Sequence, residues 1–235
     1  DKNNIFVNYS TGFRAPTITQ LFAGDTSAWG YTLNNPDLKP EKSYNYEIGS
    51  RGKAGNINYE ASLFRIDRKD FIMKTSGNYG ASSSTEKDMW DNVGGAKHQG
   101  LELAINSKLT DSLSYNLAYT YLDAKYTDYK NFAIDLDGNA NTTTLTKFDV
   151  TGNLIPRTSK HTLNAIIDYK ITSNIKLSTE YTKKSNYYAD DLNKIKVDGQ
   201  EAVNMLVEYK SKINSYEYSF FAKVDNLFDN QYYNT

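Results

Sequence analysis

The chain has 235 residues, with 27 basic and 28 acidic side chains interspersed to a net charge of −1, and no cysteine. The even charge balance, without a basic face, excludes nucleic acid as the partner class, and the missing thiols exclude cysteine nucleophiles, disulfides and thiolate zinc sites. A mean hydropathy of −0.66 looks like an ordinary soluble protein, yet only a helical membrane span, which needs about 18 consecutive apolar residues, is ruled out; strands that merely alternate are not.

Twenty Tyr and ten Phe favour β-structure. Ile5-Phe6-Val7-Asn8-Tyr9 predicts a first strand, closed by Gly12 and Pro16. A long connection over 14–42 carries Trp29 and Tyr31 and ends in Pro36 and Pro40, whose fixed φ suits a loop descending into a strand. The second strand, about 43–52, puts Tyr44, Tyr46 and Ile48 on one face and Asn45, Glu47 and Arg51 on the other. After a turn at 53–56, Ile57, Tyr59, Ala61 and Leu63 alternate with Asn58, Glu60 and Ser62, making a hairpin. A connection over 74–97 leads to the fourth strand, Leu101, Leu103 and Ile105 against Gly100, Glu102 and Asn106. Asp111-Ser112 turns into the fifth, Leu113, Tyr115, Leu117, Tyr119 and Tyr121. Beyond a polar connection over 127–157, the sixth strand (Leu163 to Ile171) turns at 172–174 into the seventh (Ile175 to Tyr181). A connection over 188–201 precedes the eighth (Val203 to Tyr209), which turns at Asn214-Ser215 into the ninth (Tyr216 to Val224). Nine strands and no helix are predicted.

Two regularities set the class. Long polar connections alternate with turns of two to four residues, the asymmetry of a membrane barrel. Nearly every strand also opposes a polar row to a band of Leu, Ile, Val, Ala and Tyr, and strands of about 9 to 11 residues match a bilayer core. A soluble β-sandwich would give the same alternation with the polar row outside.

Catalysis requires a nucleophile with its base, paired carboxylates or a metal cluster, and none is legible. His98 and His161 are far apart, each at the long-connection side of a strand, and read as rim residues rather than a metal pair. Asp135-Leu136-Asp137-Gly138-Asn139 lacks the downstream glutamate of a calcium loop and reads as a turn. Tyr44, Tyr46, Tyr59, Tyr121, Tyr169, Tyr181 and Tyr209 fit either interfacial girdles or cross-strand packing. Trp29, Tyr31, Tyr79 and Trp90 lie in long connections, where aromatic rings can stack on flat or apolar ligands, and are the candidate ligand contacts.

"GFRAP", "NPDLKPEKSYNYEIG", "NVGGAKHQGLEL", "IPRTSKHTLNA" and "VDNLFDNQYY", in this order, resemble the C-terminal half of the barrel of a TonB-dependent outer-membrane receptor. The resemblance implies an all-β, antiparallel transmembrane barrel, with residues 1–235 supplying about nine of 22 strands. The TonB box, the plug, the first half of the barrel and the closing strand are expected to lie outside these residues. Gly12, Arg14, Ala15, Pro16, Asn35, Pro36, Leu38, Pro40, Glu41, Glu47, Gly49, Asn92, Gly100, Glu102, Pro156, Asn226, Leu227, Phe228 and Tyr232 match recurrent, mostly architectural positions. Arg14, Glu47 and Glu102 are the plug-facing candidates. The implied function is binding of a ferric siderophore or similar scarce chelate at the outer face of the bacterial outer membrane. Uptake is driven by TonB with ExbB and ExbD through the plug, with lipid around the wall, no bond chemistry and no cofactor. The other readings are a passive porin or structural barrel, and a soluble β-sandwich adhesin; a plug and TonB box upstream would exclude a plain porin.

Overall fold

A computed structural model describes residues 3–22, 32–77, 87–130, 132–134 and 146–231. Its centre is one antiparallel sheet of nine strands: β1 (Asn4–Arg14), β3 (Glu41–Ala54), β4 (Ile57–Lys69), β7 (Gly95–Lys108), β8 (Leu113–Asp128), β11 (His161–Lys170), β12 (Ile175–Lys184), β15 (Gln200–Ile213) and β16 (Tyr216–Val224). Each strand pairs only with its neighbours in this order, and β1 and β16 stand at opposite edges. The nine are the nine predicted from alternation.

Short turns close one end. Gly55 (φ 63°) and Asn214 (φ 55°) supply the left-handed residues of the β3–β4 and β15–β16 turns. The β7–β8 and β11–β12 turns share another device: the Thr110 hydroxyl accepts from Ser112 and Leu113 N–H, and the Thr172 hydroxyl from Asn174 and Ile175 N–H. The opposite end carries the long connections, which hold more structure than the predicted plain loops. Helix α1 (Ile18–Leu21) corrects the expectation of no helix; it is a single turn held by a Thr17–Gln20 capping box. β2 (Thr32–Leu33), β5 (Ile72–Gly77) and β6 (Lys87–Asn92) make a three-stranded sheet. β9 (Phe132–Ile134) pairs with β10 (Thr146–Phe148), and β13 (Tyr187–Tyr188) with β14 (Lys196–Val197).

The register fixes the faces, because directly paired residues share a side. Leu103 pairs with Ala61 and Tyr119, Leu117 with Ala165, Leu177 with Val207 and Tyr209 with Phe220, so the apolar rows merge into one band. The opposite face is polar. Asn58 donates to Asn106 at 2.8 Å, and Asn164 and Asn204 both donate to Glu180, at 3.0 and 3.1 Å. Several strands outrun the predicted 9 to 11 residues, β8 reaching 16, because they continue past the band, where the outward row turns polar and Ala96, Ala124 and Tyr126 are buried on the other side.

The apolar band is uncovered: Ile48, Leu63 and Ile167 are each half exposed or more. The compact core lies elsewhere, against the polar side of β7 and β8 at the long-connection end, where Val150 (0% exposed), Ala96, Tyr126 and Tyr129 pack with Phe132, Phe148, Ile155 and Leu192. Among the described residues no second layer covers the band, which argues against the β-sandwich reading.

Candidate functional site

At the long-connection end of the polar face, four neighbouring strands converge on one carboxylate. Arg14 ends β1 opposite Glu41, the first residue of β3; Arg68 lies on β4 and His98 on β7. Arg14 Nη2 donates to Glu41 Oε2 at 2.7 Å, and Arg68 Nη2 donates to Glu41 Oε1. The Glu41 side chain is only 5% exposed, against 51% for Arg14 and 35% for Arg68. Two guanidinium groups thus hold one buried carboxylate, and the cluster keeps a surplus positive charge. It lines a cleft of about 370 Å³ with Gly12, Ser43, Asn45, Ile66 and His98. His98 Nδ1 is buried there without a hydrogen-bond partner.

The Asn34–Pro40 loop is fastened directly above. Asn92 accepts from Lys39 N–H at 2.7 Å and donates to the carbonyls of Lys39 and Asp70, while Asn35 donates to the Trp90 carbonyl at 2.9 Å. Leu38 buries its side chain. The proline-punctuated loop and the β5–β6 hairpin are therefore tied through main-chain groups, which no alternation pattern reports.

A second lock joins the remaining connections. Tyr126 donates to Asp191 at 2.6 Å, Asn153 donates to the Asp191 carbonyl, and Asn193 exchanges two hydrogen bonds with Leu154. Asp190 caps its own turn, accepting from Lys194 and Ile195 N–H. Burial pushes its carboxyl up, but these N–H groups, Ile195 foremost, outweigh that and hold it below the usual value.

The predicted site residues fall into three groups. Arg14, Glu47 and Glu102 share the polar face, since Glu47 pairs with Phe64, which pairs with Gly100, two residues from Glu102. Glu47 and Glu102 carry no ion pair among the described residues, whereas Arg14 is bound to Glu41. Trp90 sits half-buried on β6 rather than in a bare loop. Trp29, Tyr31 and Tyr79, the Asp135–Asn139 run and Tyr232 lie outside the described residues. His98 and His161 point to opposite faces, because His161 pairs with Tyr121 on the apolar side, and so cannot share a metal. Arg68 gives no signal in the sequence, because it stands in Asp67-Arg68-Lys69-Asp70, where charge on both faces hides the parity.

This geometry fastens loops and presents charge; among the described residues no cluster of three or more His, Asp or Glu is placed to hold a metal. Residues 1–227 match the family described as TonB dependent receptor-like, beta-barrel. The chain belongs to that family. It is 23% identical over 235 residues to PiuA of Acinetobacter baumannii, named a probable TonB-dependent siderophore receptor, covering 99% of this chain and 29% of the relative. A vitamin B12 transporter, BtuB of Photobacterium profundum, is 32% identical over 121 residues, 52% of this chain and 18% of that protein. In fold it resembles the crystal structure of PiuA (TM-score 0.73, 22% identity, 97% of this chain and 30% of that one). The unliganded ferric citrate transporter FecA is similar (TM-score 0.71, 21% identity, 99% and 32%). The chain spans less than a third of the length of these proteins. Within this receptor family, the nine strands are a partial barrel wall.

Proposed function

We propose that this chain is the C-terminal part of the barrel wall of an outer-membrane receptor for a ferric siderophore or a similar scarce metal chelate. The observation that carries this reading is the uncovered apolar band running unbroken across nine strands, backed by a hydrogen-bonded polar face. In water such a band is a liability, whereas in hydrocarbon it is the required surface, and every strand between the edges has its backbone paired on both sides. The polar face then lines the lumen, with Arg14, Glu47 and Glu102 toward a plug contributed by other residues of the parent receptor. The long connections face the exterior, where Trp29, Tyr31, Tyr79 and Trp90 contact ligand. The siderophore reading draws on the family and on relatives named as siderophore receptors. Uptake is binding followed by gating powered by TonB with ExbB and ExbD, with no bond made or broken.

Two measurements test this. Protease added to intact cells should nick 14–42, 74–97 and 127–157 and spare the turns at Asn174 and Asn214; cleavage confined to the turns reverses the topology. Uptake of radiolabelled ferric chelates by cells expressing the intact receptor should disappear when TonB is deleted, and uptake that persists without TonB would favour a passive pore.

A further inference from the structure

Toward the short turns the polar face changes character. Lys53, Asn58, Asn106 and Asn116 are successive register partners on β3, β4, β7 and β8, so one rung sets three amides side by side with an ammonium group at the end. The next rung toward the turns is Lys108–Ser114–Asp168, and Lys170 stands beyond it on β11. These residues floor an open cleft of about 730 Å³ that reaches from β3 to β12. Asn58 donates to Asn106 at 2.8 Å, whereas the amide NH2 groups of Asn106 and Asn116 have no acceptor among the described residues.

Four ammonium groups and two carboxylates line the cleft. Lys108 reaches Asp111 at 2.8 Å, and Lys176 lies 3.6 Å from Asp168. Lys53 and Lys170 have no carboxylate within ion-pair distance among the described residues, so a surplus of two positive charges remains. Lys170 also sits directly opposite Lys176, and like charges so placed destabilise a sheet. The two unpaired lysines stand on β3 and β11, four strand spacings apart in the sheet order, which is about 19 Å. A small inorganic ion cannot meet both. A broader anion, carrying several ligand oxygens, can lie between them over the row of amides.

We propose that this cleft is a transit site, where an anionic ferric chelate with oxygen ligands rests at the turn end of the lumen on its way out. The proposal rests on the polar face's lining the lumen. Ferric iron held by carboxylate or catecholate oxygens keeps a net negative charge at its surface and offers acceptors to ammonium and amide donors. Passage requires attraction strong enough to admit the ligand and weak enough to release it. Two uncompensated charges spread across a wide, hydrated cleft meet that requirement better than a closed cluster of guanidinium groups would. A packed protein domain would instead need apolar anchors. Phe6 and Phe64, rings on the same face, stand outside the cleft on β1 and β4.

The test uses the intact receptor in detergent with Asn116→Cys as its sole thiol. Modification is timed with two methanethiosulfonates of similar size, one bearing a sulfonate and the other a trimethylammonium group. Relative to their rates on a free thiol, the sulfonate should react roughly tenfold faster, and salt at about 1 M, which cuts the screening length to about 3 Å, should erase the difference. K53Q/K170Q, which breaks no ion pair, should bring the ratio close to one. K223Q, which changes a lysine on the same face four strands away and paired with Asp225 at 2.8 Å, should leave it intact. Millimolar iron(III) citrate, an anionic chelate, should slow the modification, and the cationic iron(III) complex of desferrioxamine B should not. Equal rates with the two reagents, a preference surviving in K53Q/K170Q, protection by both chelates or by neither, or a thiol silent to every reagent because the plug packs on it overturns the transit site alone. A thiol that in lipid vesicles reacts with a membrane-soluble maleimide and with neither charged reagent lies in lipid, and the lumen reading of the polar face falls with it.

Discussion

Phe6 stands over Gly49, its register partner on β3: a β-carbon built on Gly49 would lie 2.3 Å from Phe6 Cζ. The Arg51 guanidinium lies 5.7 Å from the centre of the same ring. The polar face thus keeps an aromatic ring flat along the sheet by leaving out the side chain opposite. Phe64 and Gly100 repeat the arrangement on β4 and β7 with the order of contacts reversed: at Gly49 the Phe6 ring is nearer than the Ala61 carbonyl oxygen, at 2.8 Å, whereas at Gly100 the Tyr121 carbonyl oxygen at 1.9 Å is nearer than Phe64 Cζ at 2.9 Å.

That difference predicts opposite outcomes in a double-mutant test. Gly49→Ala and Gly100→Ala should each destabilise by about 1 to 3 kcal/mol through overpacking. Adding Phe6→Leu should recover part of the loss at Gly49, where the ring makes the closest contact and the Ala61 carbonyl remains. Adding Phe64→Leu should recover little at Gly100, where backbone obstructs. Denaturant unfolding of the intact receptor in detergent reads both cycles, and equal rescue at the two sites would contradict the geometry.

The second prediction concerns the buried carboxylate. Arg14→Met with Arg68→Met leaves Glu41 unpaired and buried and should cost about 3 to 5 kcal/mol, whereas Glu41→Gln, which leaves two guanidinium groups able to reach water, should cost less. Limited proteolysis of 14–42 should accelerate in the same order. A larger loss from Glu41→Gln would mean that Glu41 is not the group that needs its partners.

A third outcome follows from parity. Leu103 lies on the apolar band and Asn116 on the polar face, one strand away. Leu103→Arg should cost about 2 to 4 kcal/mol in a bilayer and Asn116→Arg close to nothing. Reversible folding into vesicles measures the difference, and equal costs would undo the assignment of faces.

The fourth is a pH dependence. Asp190 is held below the usual carboxylate value by the N–H groups it accepts from, so its contribution to the 188–195 turn is fully present above about pH 4. It is lost as pH falls through the folded-state value. Amide protection factors at Lys194 and Ile195 should therefore drop between pH 6 and pH 2.5, while residues of β11 keep theirs. Protection independent of pH would remove Asp190 from the turn's support.

How much of this the sequence carried depends on what each residue faces. Leu101, Leu103 and Ile105 announce their side because one face meets water-loving groups and the other does not, and that contrast gave nine strands and both faces. Lys69, Lys97 and Arg68 sit where both faces are polar, so period two vanishes and the strands seem to stop early. Asn35 and Asn92 act on main-chain groups more than fifty positions away, and residue type alone cannot reveal such partners. Trp90 reads as a loop aromatic in the sequence because the short β5 and β6 strands around it are too brief for alternation to register.

After β1, every long connection leads into a two-strand unit and every short turn closes one, so the sheet is β1 followed by four hairpins laid side by side. Removing one whole hairpin, β11 through β12 for example, would leave β8 facing β15 in antiparallel sense, with its apolar row on the correct side. Removing a single strand would set neighbours parallel. The wall can therefore change circumference only in steps of two, and a lineage that widens or narrows it by duplicating or deleting hairpins keeps inside and outside without redesigning a residue.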